Sequence, residues 1–209
     1  CFFMENSVNF RTDMADERVD EYKRVNNLTY LDGVEVIQNE KNNITTTVVK
    51  ITNENGEKSL SKKIGDYITI ETKDIKYLED KEEHELVKIV SDELKNLIKG
   101  KEKSNEKSSI LIVGLGNEYI TPDALGPKIV KNINITRHVL NIAGDIANSN
   151  QRSVCAIMPG VLGTTGIETF EIVKSVVDRI KPDIVIAIDS LASSSNSTFR
   201  HWNNSWSWS

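Results

Sequence analysis

Two aspartates of this chain stand where carboxylates can share a chemical task. Asp123 comes a short loop after the apolar run 110–113, and Asp189 ends the run IVIAID. Both runs are short, apolar and rich in β-branched residues, which is typical of buried parallel strands whose carboxyl ends meet at one sheet edge. Two carboxylates that meet do not ionise together easily, so one keeps a proton. The ionised member can then activate a water while its partner protonates a leaving group.

Other roles for these aspartates stay open at this point. Asp123 opens an apolar segment typical of a helix, where aspartate is a favoured N-terminal cap, and Asp189 is equally suited to cap the turn after its strand. The pair also supplies the oxygen ligands that a divalent metal ion prefers. The loop before Asp123 contains Gly114, Gly116 and Asn117, which tolerate tight turns. It lacks the third glycine of a dinucleotide-binding loop.

The composition is that of an ordinary globular protein. The chain has 209 residues, of which 38% are hydrophobic and 27% charged, enough for one domain with a small appendage. Its net charge is −5, which does not favour nucleic acid as a direct ligand. The two cysteines, Cys1 and Cys155, form neither a disulfide framework nor a metal-binding spacing. Because no apolar run is as long as a membrane span, the sequence predicts a cytoplasmic protein.

The first half of the chain is predicted to be rich in β-structure. Residues 1–30 are polar and are expected to form a solvated arm, with one possible helix in the segment ADERVDEYKRV. Alternating apolar residues and turn signals follow, and then an apolar stripe at helical spacing. The predicted elements are strands at 34–37, 44–51 and 67–71, a turn at 53–56 and a helix over 79–99.

The second half alternates strands with helices. The predicted elements are strands at 110–113, 154–158 and 184–188, and helices over 123–131 and 169–180. Such alternation predicts an α/β fold with a parallel or mixed sheet and flanking helices. We therefore expect a β-rich N-terminal region with its helix over 14–108 and an α/β core over 109–193. Residues 194–209 contain all three tryptophans without a periodic pattern and are expected to be a non-native or unfolded tail.

Several long motifs carry a resemblance to a known family. They are GLGNEYITPDALGP at 114–127, MPGVLGTTGIET at 158–169, KPDIVIAIDSLAS at 181–193 and RTDMA at 11–15. Together they resemble the germination proteases of spore-forming bacteria over residues 9–193, densely from 110 onwards. The core of that family is similar to the hydrogenase-maturation endopeptidases, so the resemblance also implies a fold of that kind for residues 109–193.

The resemblance implies an atypical aspartic endopeptidase that starts the degradation of small acid-soluble spore proteins during germination, without a cofactor. Its two essential aspartates fall on Asp123 and Asp189, and the active-site loop on Gly114, Gly116 and Asn117. The family is made as a self-processing zymogen, and its cleavage motif falls on the bond between Asp13 and Met14, which makes 1–13 the propeptide. It implies a homotetramer in the cytoplasm of the forespore and spore core, with no membrane and no direct nucleic-acid partner.

Two features of the resemblance leave alternative functions open. The maturation endopeptidases bind a metal at the corresponding loop, so a metal-dependent endopeptidase using Asp123 and Asp189 is one alternative. Members of the family also continue beyond the strand that ends at Asp189, whereas the match here stops near residue 193. We therefore expect the chain alone to be truncated, poorly folded and weakly active or inactive. A non-catalytic fragment that still binds substrate is the second alternative.

Overall fold

The chain divides into two compact units. The structure, a computed structural model, describes residues 14–73, 75–99, 108–143, 151–190 and 201–203. The first unit ends at Leu97 and the second runs from Ile98 to Ser190, after which the chain returns to the first. No helix within these described residues is both long and apolar enough to cross a membrane.

The first unit is built on an antiparallel sheet with a helix on each face. Its elements are α1 (Ala15–Asn26), β1 (Val34–Lys41), β2 (Ile44–Ile51), α2 (Glu54–Leu60), β3 (Gly65–Glu71) and α3 (Asp80–Lys99). Successive side chains of β3 alternate between the faces, as the period of a strand requires. Tyr67 joins the buried cluster around α1, whereas Ile68 and Ile70 join the cluster around Leu86 of α3.

Helix α1 overturns the prediction of a solvated arm for its part of the chain. Ala15 and Val19 are buried at 0% and 1% exposure in the core of the first unit. Arg18 ties the same helix to the end of α2, because its guanidinium donates to the carbonyl oxygen of Leu60 at 2.9 Å. The possible helix in this segment is therefore the correct interpretation, and its polar composition reflects the face that remains in solvent. Residues 1–13 lie outside the described residues.

The predicted turn at 53–56 is wrong, since a helix begins there. Asn53 caps α2, and its side-chain oxygen accepts a hydrogen bond from the backbone N–H of Gly56 at 3.0 Å. Asparagine and glycine are common in turns and at helix N-termini for related reasons, because both sites need a local side-chain acceptor or a permissive backbone. The segment between β2 and β3 thus contains a short helix that packs on the buried cluster around α1.

Asp16 should destabilise the first unit near neutral pH. Burial raises its pKa above 3.8 against the opposing effect of the Thr69 hydroxyl, which donates to Asp16 at 2.9 Å. Because the unfolded state then loses the proton more readily, stability falls as the pH rises from 3.8 through the folded pKa. Asp16→Asn keeps an acceptor for Thr69, so its free energy of unfolding should exceed that of the parent at about pH 7.

The measurement for Asp16 is urea unfolding at neutral pH and again below pH 3.8, where the parent carboxyl is protonated in both states. The gap between Asp16→Asn and the parent should close in acid. Asp20→Asn, on an exposed position of the same helix, is the matched control and should change little at either pH. A stabilisation by Asp16→Asn that is equal at both pH values would contradict the assignment.

The second unit is built on a parallel sheet in the order β5–β4–β6. Its elements are β4 (Ile110–Gly114), α4 (Leu125–Lys131), α5 (Arg137–Ala143), β5 (Val154–Ile157), α6 (Leu162–Thr165), α7 (Thr169–Ile180) and β6 (Ile184–Ile188). The central strand β4 is buried along its whole length, and the outer strands β5 and β6 are half-buried. The predicted α/β fold with a parallel sheet, flanking helices and a β-rich N-terminal region is confirmed.

Strands β4 and β6 are joined by hydrogen bonds between the residues that directly precede them. The Asp183 carboxylate accepts hydrogen bonds from both the backbone N–H and the hydroxyl of Ser109, each at 2.8 Å. The Ser109 carbonyl in turn accepts from the N–H of Ile184 at 3.0 Å. These bonds fix which residue of β6 lies beside which residue of β4, and this pairing carries through to their carboxyl ends.

Part of the predicted tail forms a strand. Residues His201–Asn203 constitute β7, which pairs antiparallel with β3 so that Trp202 lies opposite Ile68. The expectation of an unfolded tail is therefore wrong for these three residues. A strand that pairs through its backbone with an existing sheet edge needs no hydrophobic period of its own, so the sequence carries no signal for it. Residues 191–200 and 204–209 lie outside the described residues.

Candidate active site

Adjacent strands bring the segments of the two aspartates together. Gly114 at the end of β4 lies beside Ile188 at the end of β6. The next residue, Leu115, donates its backbone N–H to the carbonyl oxygen of Ile188 at 2.8 Å. Asp189 follows Ile188 directly, so it leaves the sheet at the same edge as the loop that leads to Asp123.

The loop after β4 holds the carboxylate of Asp123. This residue ends a single 3-10 turn, Thr121–Asp123, which leads into α4. The backbone N–H of Asn117 donates to Asp123 Oδ2 at 2.8 Å and lies 3.1 Å from the Asp123 carbonyl oxygen. The side chain of Asn117 stiffens the loop in turn, because its oxygen accepts from the N–H of Tyr119 at 3.0 Å. The carboxylate is therefore positioned by backbone groups of its own loop.

Two glycines allow the backbones of this loop to approach closely. Gly116 has φ +106°, and a Cβ placed there would lie 2.1 Å from the carbonyl oxygen of Asp123. Gly126 in α4 faces the ends of both strands, since a Cβ there would lie 2.4 Å from the carbonyl oxygens of Leu115 and Ile188. Only glycine fits such contacts without displacing backbone. Gly114 likewise has its Cβ position only 2.5 Å from the carbonyl oxygen of Gly126.

The surroundings of Asp189 favour its neutral form. Its pKa is raised above 3.8, first by partial desolvation and then by the negative charge of Asp123. A hydrogen bond from the backbone N–H of Ser190, at 2.8 Å, acts in the opposite direction. The residue as a whole is exposed. The charge of Asp123 thus influences the ionisation of Asp189.

The remaining predicted residues are distributed as follows. Met14 lies in the first unit, immediately before α1, and is only 6% exposed. Asp13 lies outside the described residues. Over the described parts of the chain, no group of three or more His, Cys, Asp and Glu side chains is placed to hold a metal ion. The two aspartates follow neighbouring strands and lie at the same edge of the sheet of the second unit.

Sequence comparison assigns this chain to a protein family. The sequence profile of the family described as "Germination protease" matches residues 9–201. The chain belongs to the germination protease family. The match extends beyond the resemblance to residue 193 and includes the first residue of β7.

Individual germination proteases align with most of this chain but with only about half of their own length. Those of Clostridium tetani, Clostridium perfringens strain SM101 and Priestia megaterium are 44%, 45% and 39% identical over 183, 188 and 189 residues. Each alignment covers 88% of this chain. It covers 55%, 56% and 50% of the respective relative. The chain therefore spans about half the length of the curated relatives that it matches.

Proposed function

We propose that this chain is the part of a germination protease that carries an aspartic catalytic pair, Asp123 and Asp189. The shared sheet edge carries the proposal, because Asp189 directly follows Ile188, whose carbonyl oxygen accepts from the N–H of Leu115 in the loop that leads to Asp123. The negative charge of Asp123 also contributes to raising the pKa of Asp189. Paired carboxyls with different environments suit acid–base hydrolysis. Membership of the germination protease family supports a peptide bond as the target.

The proposed mechanism gives each aspartate one task. Asp189 enters as the protonated acid, and Asp123 enters as the base, oriented by the N–H of Asn117. Asp123 takes a proton from a water, whose oxygen bonds to the carbonyl carbon of the substrate. The C–N bond then breaks as the leaving nitrogen receives the proton of Asp189. The proton now on Asp123 passes to Asp189, which restores the starting state.

The same proposal extends to substrate, processing and assembly. The substrates are small acid-soluble spore proteins, and the site of action is the cytoplasm of the forespore and spore core. The chain is made as a zymogen whose bond between Asp13 and Met14 is cut by the enzyme itself. The full-length protein acts as a homotetramer.

The test is incubation of the chain with a small acid-soluble spore protein, with and without EDTA, followed by mass spectrometry. We expect weak cleavage of the spore protein into discrete fragments, none of an unrelated acidic protein of similar size, and no effect of EDTA. The chain itself should lose residues 1–13. A parallel binding measurement on the same substrate, by fluorescence anisotropy, separates recognition from cleavage.

Other results would assign a different function. Cleavage that EDTA abolishes and added divalent metal restores would favour the metal-dependent endopeptidase, for which the two carboxylates are suitable oxygen ligands. Binding of the spore protein without cleavage, before and after removal of residues 1–13, would favour the non-catalytic fragment. Either result would contradict the aspartic mechanism.

A further inference from the structure

The outer edge of β1 is open to solvent. Among the described strands only β2 pairs with β1, so β1 is an edge strand of the antiparallel sheet in the first unit. Every residue from Glu35 to Lys41 is exposed. Val36 and Ile37, on opposite faces of the sheet, are 43% and 47% exposed. Because the free backbone groups of such an edge can pair with a further strand, this eight-residue strand is suited to an interface.

The hairpin of β1 and β2 determines which backbone groups lie on this edge. In an antiparallel pair, residues that bond to the neighbouring strand alternate with residues that point away from it. The carbonyl oxygen of Gly33, directly before β1, accepts from the N–H of Thr52 at 2.8 Å, so Gly33 points towards β2. Lys41 lies an even number of residues further on and also points towards β2, because it closes a two-residue turn to Ile44. Along the exposed part of the strand, the outward N–H and C=O groups therefore belong to Val36, Gln38 and Glu40.

A second copy of β1 satisfies all of these outward groups at once. Two copies can lie antiparallel about a two-fold axis that passes between their Gln38 residues. Gln38 then faces Gln38, and Val36 faces Glu40, in the hydrogen-bonded pairs of the new ladder. Every outward N–H and C=O group of the three residues finds a partner in this arrangement. The interface uses the same patch on both copies, which is the kind that closes as a dimer.

The same register places opposite charges face to face. Glu35 of one copy lies opposite Lys41 of the other, in a pair that is not hydrogen-bonded and whose side chains are therefore closer, and the two-fold axis repeats the contact. The Lys41 side chain is 63% exposed, and although it pairs with Glu85 its ammonium group has further N–H groups to donate. A shift by two residues in either direction would place Asn39 or Asn43 opposite Glu35. Charge complementarity therefore selects this register.

We propose that β1 is a dimer interface, at which a second copy of this chain extends the antiparallel sheet across a two-fold axis at Gln38. The inference rests on the homotetramer proposed above and names one of its interfaces, since a tetramer can be built from two such dimers. It involves the first unit and not the catalytic pair. The charges along the edge accept this partner in this register and disfavour strands of other sequence.

Disulfide trapping tests the register. In a chain whose Cys1 and Cys155 are replaced by serine, Gln38→Cys should form a disulfide-linked dimer on mild oxidation, because the Cα atoms of a hydrogen-bonded pair lie about 5.5 Å apart. Asn39→Cys, on the adjacent exposed residue, is the matched control. Its two copies are offset by two residues along the strand, which exceeds the roughly 7 Å that a disulfide can bridge, so it should stay monomeric on a non-reducing gel. Equal trapping of both variants, or no trapping of Gln38→Cys, would overturn the proposal.

Complementary charge variants test the partner. Glu35→Lys brings two positive charges together at each contact and Lys41→Glu brings two negative ones, so each variant alone should lose the dimer that the parent forms in sedimentation velocity. An equal mixture of the two restores both charge pairs and should form heterodimers, with a Kd at least about tenfold lower than that of either variant with itself. Asp20→Lys makes the same charge change on an exposed position of α1 and should dimerise as the parent does. A mixture that associates no better than its components would contradict the interface.

Gln38→Pro separates the interface from the fold. Proline is tolerated on an edge strand where its missing N–H points to solvent, so this variant should keep the circular dichroism of the parent and lose the dimer. Dimers that survive Gln38→Pro, or a parent chain that stays monomeric at every concentration, would refute the interface. If the chain cross-links through Gln38→Cys but cleaves no spore protein, the interface stands and the protease function fails. If a monomeric chain cleaves the spore protein, the interface fails and the protease function stands.

Discussion

Asp189→Asn should lower kcat for cleavage of a spore protein about a thousandfold, the middle of the range for general acid–base catalysis. An amide cannot donate the proton that the leaving nitrogen needs. The substitution keeps an oxygen that accepts the hydrogen bond from Ser190, so the fold should be unaffected. The pH profile of the parent should lose activity as the pH rises through the pKa of Asp189, which lies above 3.8, and this limb should be absent from the residual activity of the variant.

Asp123→Asn is the companion to that experiment. It should reduce kcat to a similar extent, and its side-chain oxygen should still accept from the N–H of Asn117. It should also lower the pKa of Asp189 measured by NMR, because one of the two causes that raise it, the charge of Asp123, is removed while burial remains. An unchanged melting temperature in both variants is the control for folding. Full activity in either variant would contradict the catalytic pair.

Gly126→Ala should unfold or strongly destabilise the second unit, with a loss of about 3 kcal/mol in the free energy of unfolding. The added methyl would lie 2.4 Å from the carbonyl oxygens of Leu115 and Ile188, which are backbone atoms and cannot rotate away. It would push apart Leu115 and Ile188, whose hydrogen bond connects the loop of Asp123 to the strand that precedes Asp189. Denaturant unfolding measures the effect, and protein that remains folded should cleave about 100-fold more slowly because Asp123 is displaced.

Gly163→Ala provides the matched control for this prediction. It makes the same chemical change on another helix of the same unit, but the new methyl meets nothing within 4 Å. Its helix, α6, is not expected to lose stability, since alanine is the better helix former. If both alanine variants unfold at the same denaturant concentration as the parent, the close packing of α4 against the strand ends is not what holds this edge of the unit together.

The strands were readable from the sequence because each is an uninterrupted apolar or alternating run. The run ILIV at 110–113 is buried on both faces, and the segment 44–51 is rich in the β-branched residues that strands favour. The turn predicted at Asn53 failed because a helix cap and a turn use the same side-chain hydrogen bond. Strand β7 could not be predicted, since its pairing depends on the free edge of β3 and not on its own residues.

From the sequence, the site could be predicted only in so far as the ends of the strands determine where its residues lie. Strands β4 and β6 are neighbours in the parallel sheet, which explains why the segments that carry Asp123 and Asp189 leave it at one edge. The catalytic role of the two aspartates remains a prediction. The packing that supports this edge involves residues far apart in the sequence. Gly126 looks like any helix glycine in the sequence, and only the structure shows the carbonyl oxygens of Leu115 and Ile188 packed against it. A pocket lined by Asn117 and Met158 is likewise formed by loops 30 or more residues apart, and no local pattern marks such a pairing.

The pinning of β4 to β6 has a consequence for how the site responds to thermal motion. Ser109 and Asp183 join the strands at one end, and Leu115 and Ile188 join them at the other. Neighbouring strands keep a spacing of about 4.8 Å, so the distance between the segments bearing the two aspartates is inherited from the sheet. The strand ends that lead to the two aspartates therefore separate only when β4 and β6 unpair. This makes the foundation of the site cooperative with the folding of the whole second unit.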